Sequence, residues 1–225
     1  MTDTLARRPD DPHAHQPVRV AGAPLTDARA VVVLAHGRGA DALDILGLAA
    51  HFEVPGVAYL APEASGGAWY PARFLAPLEH NQPWLDSALA AFDAVVRSAR
   101  AAGVPDERIV LGGFSQGACL ALEYAARHAT RFGGVLAFAG GLIGPDGLER
   151  ADTGRFDGTP VFIGVGDQDA HIPVARAQHA AEVLTALGAH VDLRIYRGVP
   201  HTVVPDQVEA AGLLLTRVAT SALRD

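Results

Sequence analysis

The sequence is poor in positive charge, and the positive charge it has is scattered. It contains 18 basic residues, all of them arginine, against 25 acidic ones, so the formal net charge is -7. The longest basic run is Arg7-Arg8. A nucleic-acid partner requires clustered Lys and Arg that neutralise phosphates, so we expect no nucleic-acid partner.

Cysteine and long apolar runs are also scarce. The single cysteine, Cys119, cannot form an internal disulfide, which favours a reducing compartment; we expect a buried structural thiol. No run approaches ~18 apolar residues, the length that a membrane span needs. The polar stretch from Met1 to Gln16 lacks the apolar centre of a signal peptide. We therefore expect a cytoplasmic protein with no stable membrane anchor.

Spacings typical of a metal site are missing as well. Asp11, His13 and His15 lie close together in the chain, but a flexible proline-rich stretch lacks the surrounding groups that orient metal ligands. We predict no metal and no cofactor. Residues 1–16 are predicted to form a flexible N-terminal tail, and residues 17–225 a single domain.

What the chain does contain is a regular alternation of apolar runs and amphipathic stretches. Continuous β-branched runs are typical of strands buried on both faces of a parallel sheet, and apolar residues at helical spacing separate them. The strands are predicted at 17–20, 30–35, 56–61, 108–114, 134–139, 160–166 and 190–196, and the helices at 41–52, 84–99, 116–128, 174–187 and 205–223. The fold class is therefore α/β, with a mostly parallel central sheet and helices on both faces.

The segment Gly113-Phe114-Ser115-Gln116-Gly117 lies between a predicted strand and a predicted helix. A G-x-S-x-G sequence at such a junction is typical of a nucleophile elbow, a sharp turn that projects the serine hydroxyl from the sheet edge. Glycine is needed beside the serine because the turn brings backbone segments close together. The pentapeptide alone also fits an ordinary turn, so its interpretation depends on the rest of the chain.

Two further polar groups follow later strands. Asp167 and Asp169 come after the strand at 160–166, and His201 follows the last strand. Nucleophilic serine catalysis needs a base that takes the hydroxyl proton and a carboxylate that orients the base. The order Ser, Asp, His is the one expected in an α/β hydrolase. We predict a serine hydrolase with Ser115 as the nucleophile and His201 as the base.

These segments resemble the α/β-hydrolase superfamily, and more closely its carboxylesterase/phospholipase branch, which includes acyl-protein-thioesterase-like proteins. The resemblance implies an α/β-hydrolase fold with no separate cap domain and allows a homodimer. The matching segments are His36-Gly37-Arg38-Gly39, Gly113-Phe114-Ser115-Gln116-Gly117-Ala118, Gly166-Asp167-Gln168-Asp169, Ile172-Pro173 and Pro200-His201-Thr202.

The resemblance also implies roles for individual residues. Asp169, the second acid of its segment, is the catalytic carboxylate, although Ala170 stands where many relatives have proline. Asp167 then shapes the loop by accepting hydrogen bonds from nearby amides. The backbone N–H groups of Arg38 and Gln116 form the oxyanion hole.

The side chains around this centre carry expectations of their own. Because Gln116 acts through its N–H, we expect its side chain to be replaceable. The side chain of Arg38 either favours anionic substrates or points into water, and we prefer water. We expect His36 to hold its loop by hydrogen bonds and His171 to border the site.

The stretch 62–83 is long, rich in Gly, Pro and aromatic residues, and without periodicity. Such segments are often binding loops. We predict that it lines the substrate pocket together with the loop after the strand at 134–139, while packing onto the domain is the alternative reading. The predicted lining residues are Trp69, Tyr70, Phe74, Leu142 and Ile143.

The resulting function prediction is a carboxylic ester hydrolase, similar to a carboxylesterase or lysophospholipase, that forms an acyl-enzyme on Ser115 and takes a small-molecule ester. An acyl thioesterase remains open, as does a non-catalytic ligand-binding module on the same fold. Dienelactone hydrolases carry cysteine in the elbow, so the serine argues against that variant.

Overall fold

Seven strands form one sheet in the computed structural model, which describes residues 11–221. Along the sheet their order is β1-β3-β2-β4-β5-β6-β7. Strand β1 pairs antiparallel with β3, and all other pairs are parallel. The strands are β1 (Val18–Gly22), β2 (Ala30–Ala35), β3 (Val57–Pro62), β4 (Ile109–Phe114), β5 (Gly134–Phe138), β6 (Pro160–Gly166) and β7 (His190–Tyr196).

Within residues 11–221, five α-helices cover the two faces of this sheet. They are α1 (Ala42–Ala49), α2 (Trp84–Ala101), α3 (Gln116–Arg127), α4 (Val174–Ala186) and α5 (Pro205–Ser221). Helices α2, α3 and α4 pack into one apolar core, and α1 and α5 pack into the core on the opposite face. This arrangement confirms the predicted fold class. Within the described range, none of the helices combines the length and apolarity needed to cross a membrane.

The element boundaries follow the hydrophobic pattern closely. Strands β2, β6 and β7 have the predicted bounds, and β1 is an edge strand shifted by a residue or two toward the C-terminus. The stretch 62–83 contains only short 3₁₀ turns, at Ser65–Gly67 and Leu78–Asn81. The last two residues of the predicted final helix, 222 and 223, lie outside the described residues.

The loop at 140–159, which follows β5, is buried at its start. Leu142 and Ile143 are each 1% exposed. Burial is possible there because two buried charged side chains satisfy the backbone: Ile143 N–H donates to Glu123 Oε2 (3.1 Å), and Arg176 Nη2 donates to the carbonyl of Leu142 (2.9 Å). The sequence gives no sign of these partners.

The N-terminal segment 11–16 differs from the tail predicted for 1–16. His13 is 3% exposed, and its Nδ1 accepts a hydrogen bond from Ser65 N–H (3.0 Å) while its Nε2 donates to the carbonyl of Trp69 (2.9 Å). Its backbone N–H donates to Ser87 Oγ (2.9 Å). The predicted boundary at residue 16 is therefore too late, and residues 1–10 lie outside the described residues.

Candidate active site

Ser115 lies on a sharp turn between β4 and α3, with φ 55° and ψ -117°. A non-glycine residue at positive φ is strained by about 1–3 kcal/mol, and such strain clusters at functional sites. The turn is held by the bond from Ser115 N–H to the carbonyl of Phe138 (2.9 Å). A Cβ on Gly113 or on Gly117 would lie 2.5 or 2.0 Å from the carbonyl oxygen of Ala35. Both glycines of the motif are therefore required by close backbone approach.

The structure brings Ser115, His201 and Asp169 together. His201 Nε2 is 2.8 Å from Ser115 Oγ, and His201 Nδ1 is 2.6 Å from Asp169 Oδ2. With its Nδ1–H donated to the carboxylate, the imidazole presents an unprotonated Nε2 to the serine hydroxyl. This is the geometry that a nucleophile, its base and an orienting carboxylate require.

The carboxylate is itself fixed by the loop after β6. Asp169 Oδ1 accepts bonds from the N–H groups of His171 (2.8 Å) and Ile172 (2.9 Å), and its side chain is fully buried. Asp167 Oδ1 accepts from a backbone amide as expected, but the amide is that of Gly198 (2.7 Å), so the bond ties this loop to the loop after β7. The ring of His171 lies edge-on to the ring of His201 at 4.8 Å, so His171 borders the site as predicted.

The loop after β2 is tied to the stretch 62–83. His36 Nδ1 donates to the carbonyl of Gly37 (2.8 Å), and its Nε2 accepts from Ala64 N–H (3.0 Å), which confirms the structural role expected of His36. Gly39 N–H donates to the carbonyl of Gly67 (2.8 Å). These bonds fix the backbone that carries Arg38 N–H at the edge of the site.

The side chain of Arg38 is exposed and lines the cavity at Ser115, but it does not simply point into water. Its guanidinium donates to three consecutive carbonyls, those of Tyr70 (2.8 Å), Pro71 (3.0 Å) and Ala72 (2.8 Å). The preference for water was wrong, because main-chain oxygens of a distant loop supply acceptors that no sequence pattern displays. Arg38 thus holds the 70–72 segment beside the site through these three hydrogen bonds.

The expectation that the Gln116 side chain is replaceable was also wrong. The residue is 6% exposed; its Oε1 accepts from Trp69 N–H (2.9 Å), and its Nε2 donates to the carbonyl of Tyr70 (2.7 Å). Among the described residues, neither Gln116 N–H nor Arg38 N–H has an acceptor. Both residues line the same cavity as Ser115, so both backbone donors are free to bind an oxyanion that develops there.

A cavity of about 370 Å³ opens beside Ser115. Tyr70 and Phe74 line it as predicted, together with Arg73, His171 and His201. Trp69, Leu142 and Ile143 do not line it, which corrects their assignment.

Those three side chains are buried instead. Trp69 is 0% exposed, and its indole N–H donates to the carbonyl of His36 (2.9 Å).

A second cavity, of about 540 Å³ between β1, β3 and α1, shares no lining residue with the cavity at Ser115. It holds no nucleophile with a neighbouring base, so we assign the site to the cavity at Ser115.

Two other groups with reactive potential line the same cavity. Burial raises the pKa of the Cys119 thiol to about 12, and burial also raises the pKa of the Tyr70 phenol well above its usual value. Both therefore stay protonated near neutral pH. Neither group therefore offers a thiolate or phenolate in the cavity, where Ser115 has the imidazole of His201 within hydrogen-bond distance.

Sequence reasoning missed Arg176 and Asn81. Arg176 on α4 is 7% exposed, donates to the carbonyls of Leu142 and Gly144 (both 2.9 Å), and lies over the ring of Phe74 at 5.9 Å. A sequence signal for it exists, since it lies one turn before Ala180 on the apolar face of α4. Asn81 is fully buried in the 62–83 stretch, and no pattern singles it out.

The sheet, the serine elbow and the acidic and histidine residues at later strand ends define the α/β-hydrolase class. Residues 19–217 match the model of the phospholipase/carboxylesterase family, and the chain belongs to that family. A phospholipase/carboxylesterase structure from Dyadobacter fermentans DSM 18053 is 42% identical, with a TM-score of 0.86, covering 89% of this chain and 96% of its own.

Two further relatives widen the comparison. Acyl-protein thioesterase 1 of Saccharomyces cerevisiae is 30% identical over 167 residues, 71% of this chain and 74% of that protein. The carboxylesterase structure of Bacillus cereus, 20% identical with a TM-score of 0.70, covers 91% of this chain and 95% of its own and shares the fold. The family assignment indicates a hydrolase that acts on esters or thioesters.

Proposed function

We propose that this protein is a serine hydrolase that cleaves carboxylic esters through an acyl-enzyme on Ser115. The observation that carries the proposal is the continuous hydrogen-bond chain from Ser115 Oγ through His201 to Asp169, at 2.8 and 2.6 Å. An activated serine needs this arrangement, and a merely structural serine does not.

The reaction follows from the positions of these groups. As Ser115 Oγ attacks the acyl carbon, its proton passes to His201 Nε2, and the buried carboxylate of Asp169 stabilises the imidazolium. The developing oxyanion accepts hydrogen bonds from the N–H groups of Arg38 and Gln116; each such donor contributes about 3 kcal/mol. His201 then protonates the leaving alcohol. In the second half His201 takes a proton from the water that attacks the acyl carbon, and it returns that proton to Ser115 Oγ as the acyl–Ser115 bond breaks and the acid leaves.

The test is esterase activity in Ser115→Ala beside Ser98→Ala. Ser98 is an exposed serine on α2, outside the cavity, so its removal tests for effects of serine substitution in general. We expect Ser115→Ala to lose at least about a thousandfold in kcat on p-nitrophenyl esters, with unchanged circular dichroism. If Ser115→Ala keeps its turnover, the proposal is refuted.

A thioester substrate is the second candidate, and the observation that favours it is the resemblance to the yeast protein named acyl-protein thioesterase 1.

The size of the cavity bears on the length of the acyl group. A cavity of about 370 Å³ is at the small end of ligand sites and favours short acyl groups. A panel of p-nitrophenyl esters of rising chain length, run beside an acyl thioester and a lysophospholipid, separates these classes by kcat/KM. A preference confined to short chains counts against the phospholipase reading.

A binding module on the same fold is distinguished by covalent labelling. A fluorophosphonate probe reacts only with an activated serine, so we expect it to label the wild type and Ser98→Ala but not Ser115→Ala. Absence of labelling in the wild type would favour the binding module.

A further inference from the structure

The charged residues that line the cavity at Ser115 are both cations. Arg38 and Arg73 line it, and among the described residues no aspartate or glutamate does. The chain as a whole has 25 acidic and 18 basic residues. An all-positive lining is therefore the reverse of what the composition alone would give.

Neither of these charges is neutralised by a carboxylate. The guanidinium of Arg38 is bonded to three carbonyl oxygens, which are neutral. The side chain of Arg73 is exposed, and within residues 11–221 its guanidinium has neither an ion pair nor a hydrogen-bond partner. The carboxylate at this centre, Asp169, is bonded to His201 and to two backbone amides. A cleft with charges of one sign concentrates ligands of the opposite sign.

The backbone of Arg73 is held in place although its side chain is not. The fully buried Asn81 accepts from Ala72 N–H through its Oδ1 (2.8 Å), and its Nδ2 donates to the carbonyl of Arg73 (3.2 Å). The carbonyl of Arg73 also accepts from Ala76 N–H (3.0 Å). A buried amide thus fixes the chain on both sides of a cation whose own donors are unused, which lowers the ordering cost of binding.

We propose that this site prefers esters carrying an anionic group, a carboxylate or a phosphate, and that Arg73 recognises that group. The planar guanidinium presents paired N–H donors that match the two oxygens of a carboxylate or phosphate. Arg38, held against the loop, adds to the positive field without giving up its bonds. The inference rests on the proposed esterase function and names its substrate class.

The experiment compares anionic esters with neutral partners of equal size. One pair places the charge on the alcohol side, 4-acetoxybenzoate against 4-acetoxybenzamide. A second places it on the acyl side, the 4-nitrophenyl monoester of adipic acid against that of adipamic acid. A third uses phosphate, 1-acetylglycerol 3-phosphate against its neutral dimethyl phosphate ester, which keeps the phosphate group and nearly the same size. The measured quantity is the ratio of kcat/KM, anionic over neutral, within each pair.

The variants are Arg73→Gln, Arg73→Lys and Arg217→Gln. Arg217 is an exposed arginine on α5 outside the cavity, so its substitution makes the same change in net charge. We expect at least one pair to show a ratio above one that falls about tenfold in Arg73→Gln. The ratio should be largely kept in Arg73→Lys and fully kept in Arg217→Gln.

The dependence of the kcat/KM ratio on ionic strength is an independent test of the interaction between Arg73 and the anionic group. Raising the ionic strength from about 0.05 M to about 0.5 M should lower the ratio in the wild type and have little effect on it in Arg73→Gln. If no pair shows a ratio that depends on Arg73, or if Arg217→Gln lowers it equally, the inference is overturned. Failure of the proposed esterase function would give a different result, because Ser115→Ala would then keep its turnover.

Discussion

At the scale of single residues, the side chain of Gln116 links the elbow to the loop that faces it. Its amide uses both ends, accepting from Trp69 N–H and donating to the carbonyl of Tyr70. The same residue supplies one of the two free N–H groups beside Ser115. The side chain of Gln116 therefore links one of the two proposed oxyanion donors to the 62–83 stretch.

We predict that Gln116→Ala lowers the free energy of unfolding by about 1–3 kcal/mol, because it leaves the buried N–H of Trp69 unpaired and removes one of the two bonds to the Tyr70 carbonyl, which keeps its bond from Arg38. Gln178→Ala, on the exposed side of α4, is the matched control and should change stability by less than about 0.5 kcal/mol. Urea unfolding monitored by fluorescence measures both. Equal stabilities of the two variants would mean that the bridge contributes nothing.

At the scale of elements, the site depends on how closely α3 and β4 approach β2. The carbonyl of Ala35 at the end of β2 lies where a Cβ on Gly117 would be, at 2.0 Å. The obstructing atom belongs to the backbone, so no side-chain rotation relieves the contact. Position 117 of α3 therefore requires glycine, which has no Cβ.

We predict opposite effects for two Gly→Ala substitutions in helices. Gly117→Ala should destabilise the fold by several kcal/mol or prevent folding, because α3 must move away from β2. Gly47→Ala on α1 should stabilise it by about 0.5–1 kcal/mol, since a Cβ there meets nothing within 4 Å and alanine is the better helix former. Thermal melts of the two variants test this. A folded Gly117→Ala with unchanged melting temperature would contradict the packing described here.

At the scale of the whole molecule, the N-terminal segment reaches the active site through Trp69. The segment 11–16 precedes the part of the chain that matches the family, residues 19–217. His13 donates a hydrogen bond to the carbonyl of Trp69. Trp69 in turn donates its backbone N–H to Gln116 and its indole N–H to the carbonyl of His36. The start of the described chain thus stabilises the loops on both sides of Ser115.

This contact makes stability depend on pH. Burial lowers the pKa of His13 from 6.5, while its bond to the Trp69 carbonyl and the charge of Asp11 partly oppose the shift. Below pH 6.5 the unfolded chain binds the proton that the folded chain resists, so this group lowers stability as the pH falls from 6.5 toward its folded-state pKa.

We predict that His13→Gln reduces the loss of unfolding free energy between about pH 7 and about pH 5, because glutamine does not titrate. The variant is less stable than the wild type at pH 7, where Ser65 N–H loses its acceptor. His51→Gln, which replaces an exposed histidine, serves as the control. Urea unfolding across this range gives the slopes, and parallel slopes for wild type and His13→Gln would refute the assignment.

The sequence by itself determined the α/β class and the grouping of Ser115, Asp169 and His201. Both follow from local rules: buried parallel strands are continuous apolar runs, and the carboxyl ends of such strands meet at one edge of the sheet. Three polar groups at three strand ends must therefore lie near each other. The resemblance to the family then selected Asp169 over Asp167.

Only the tertiary structure decided what surrounds that centre. The stretch 62–83 has no periodicity, so nothing in its sequence distinguishes Tyr70 and Phe74, which line the cavity, from Trp69, which is buried. The partners of Arg38 and Gln116 are main-chain groups of that same stretch, and every residue carries such groups. Side-chain identity records burial and periodicity, but the backbone acceptors that position Arg38 and Gln116 exist only once the chain has folded.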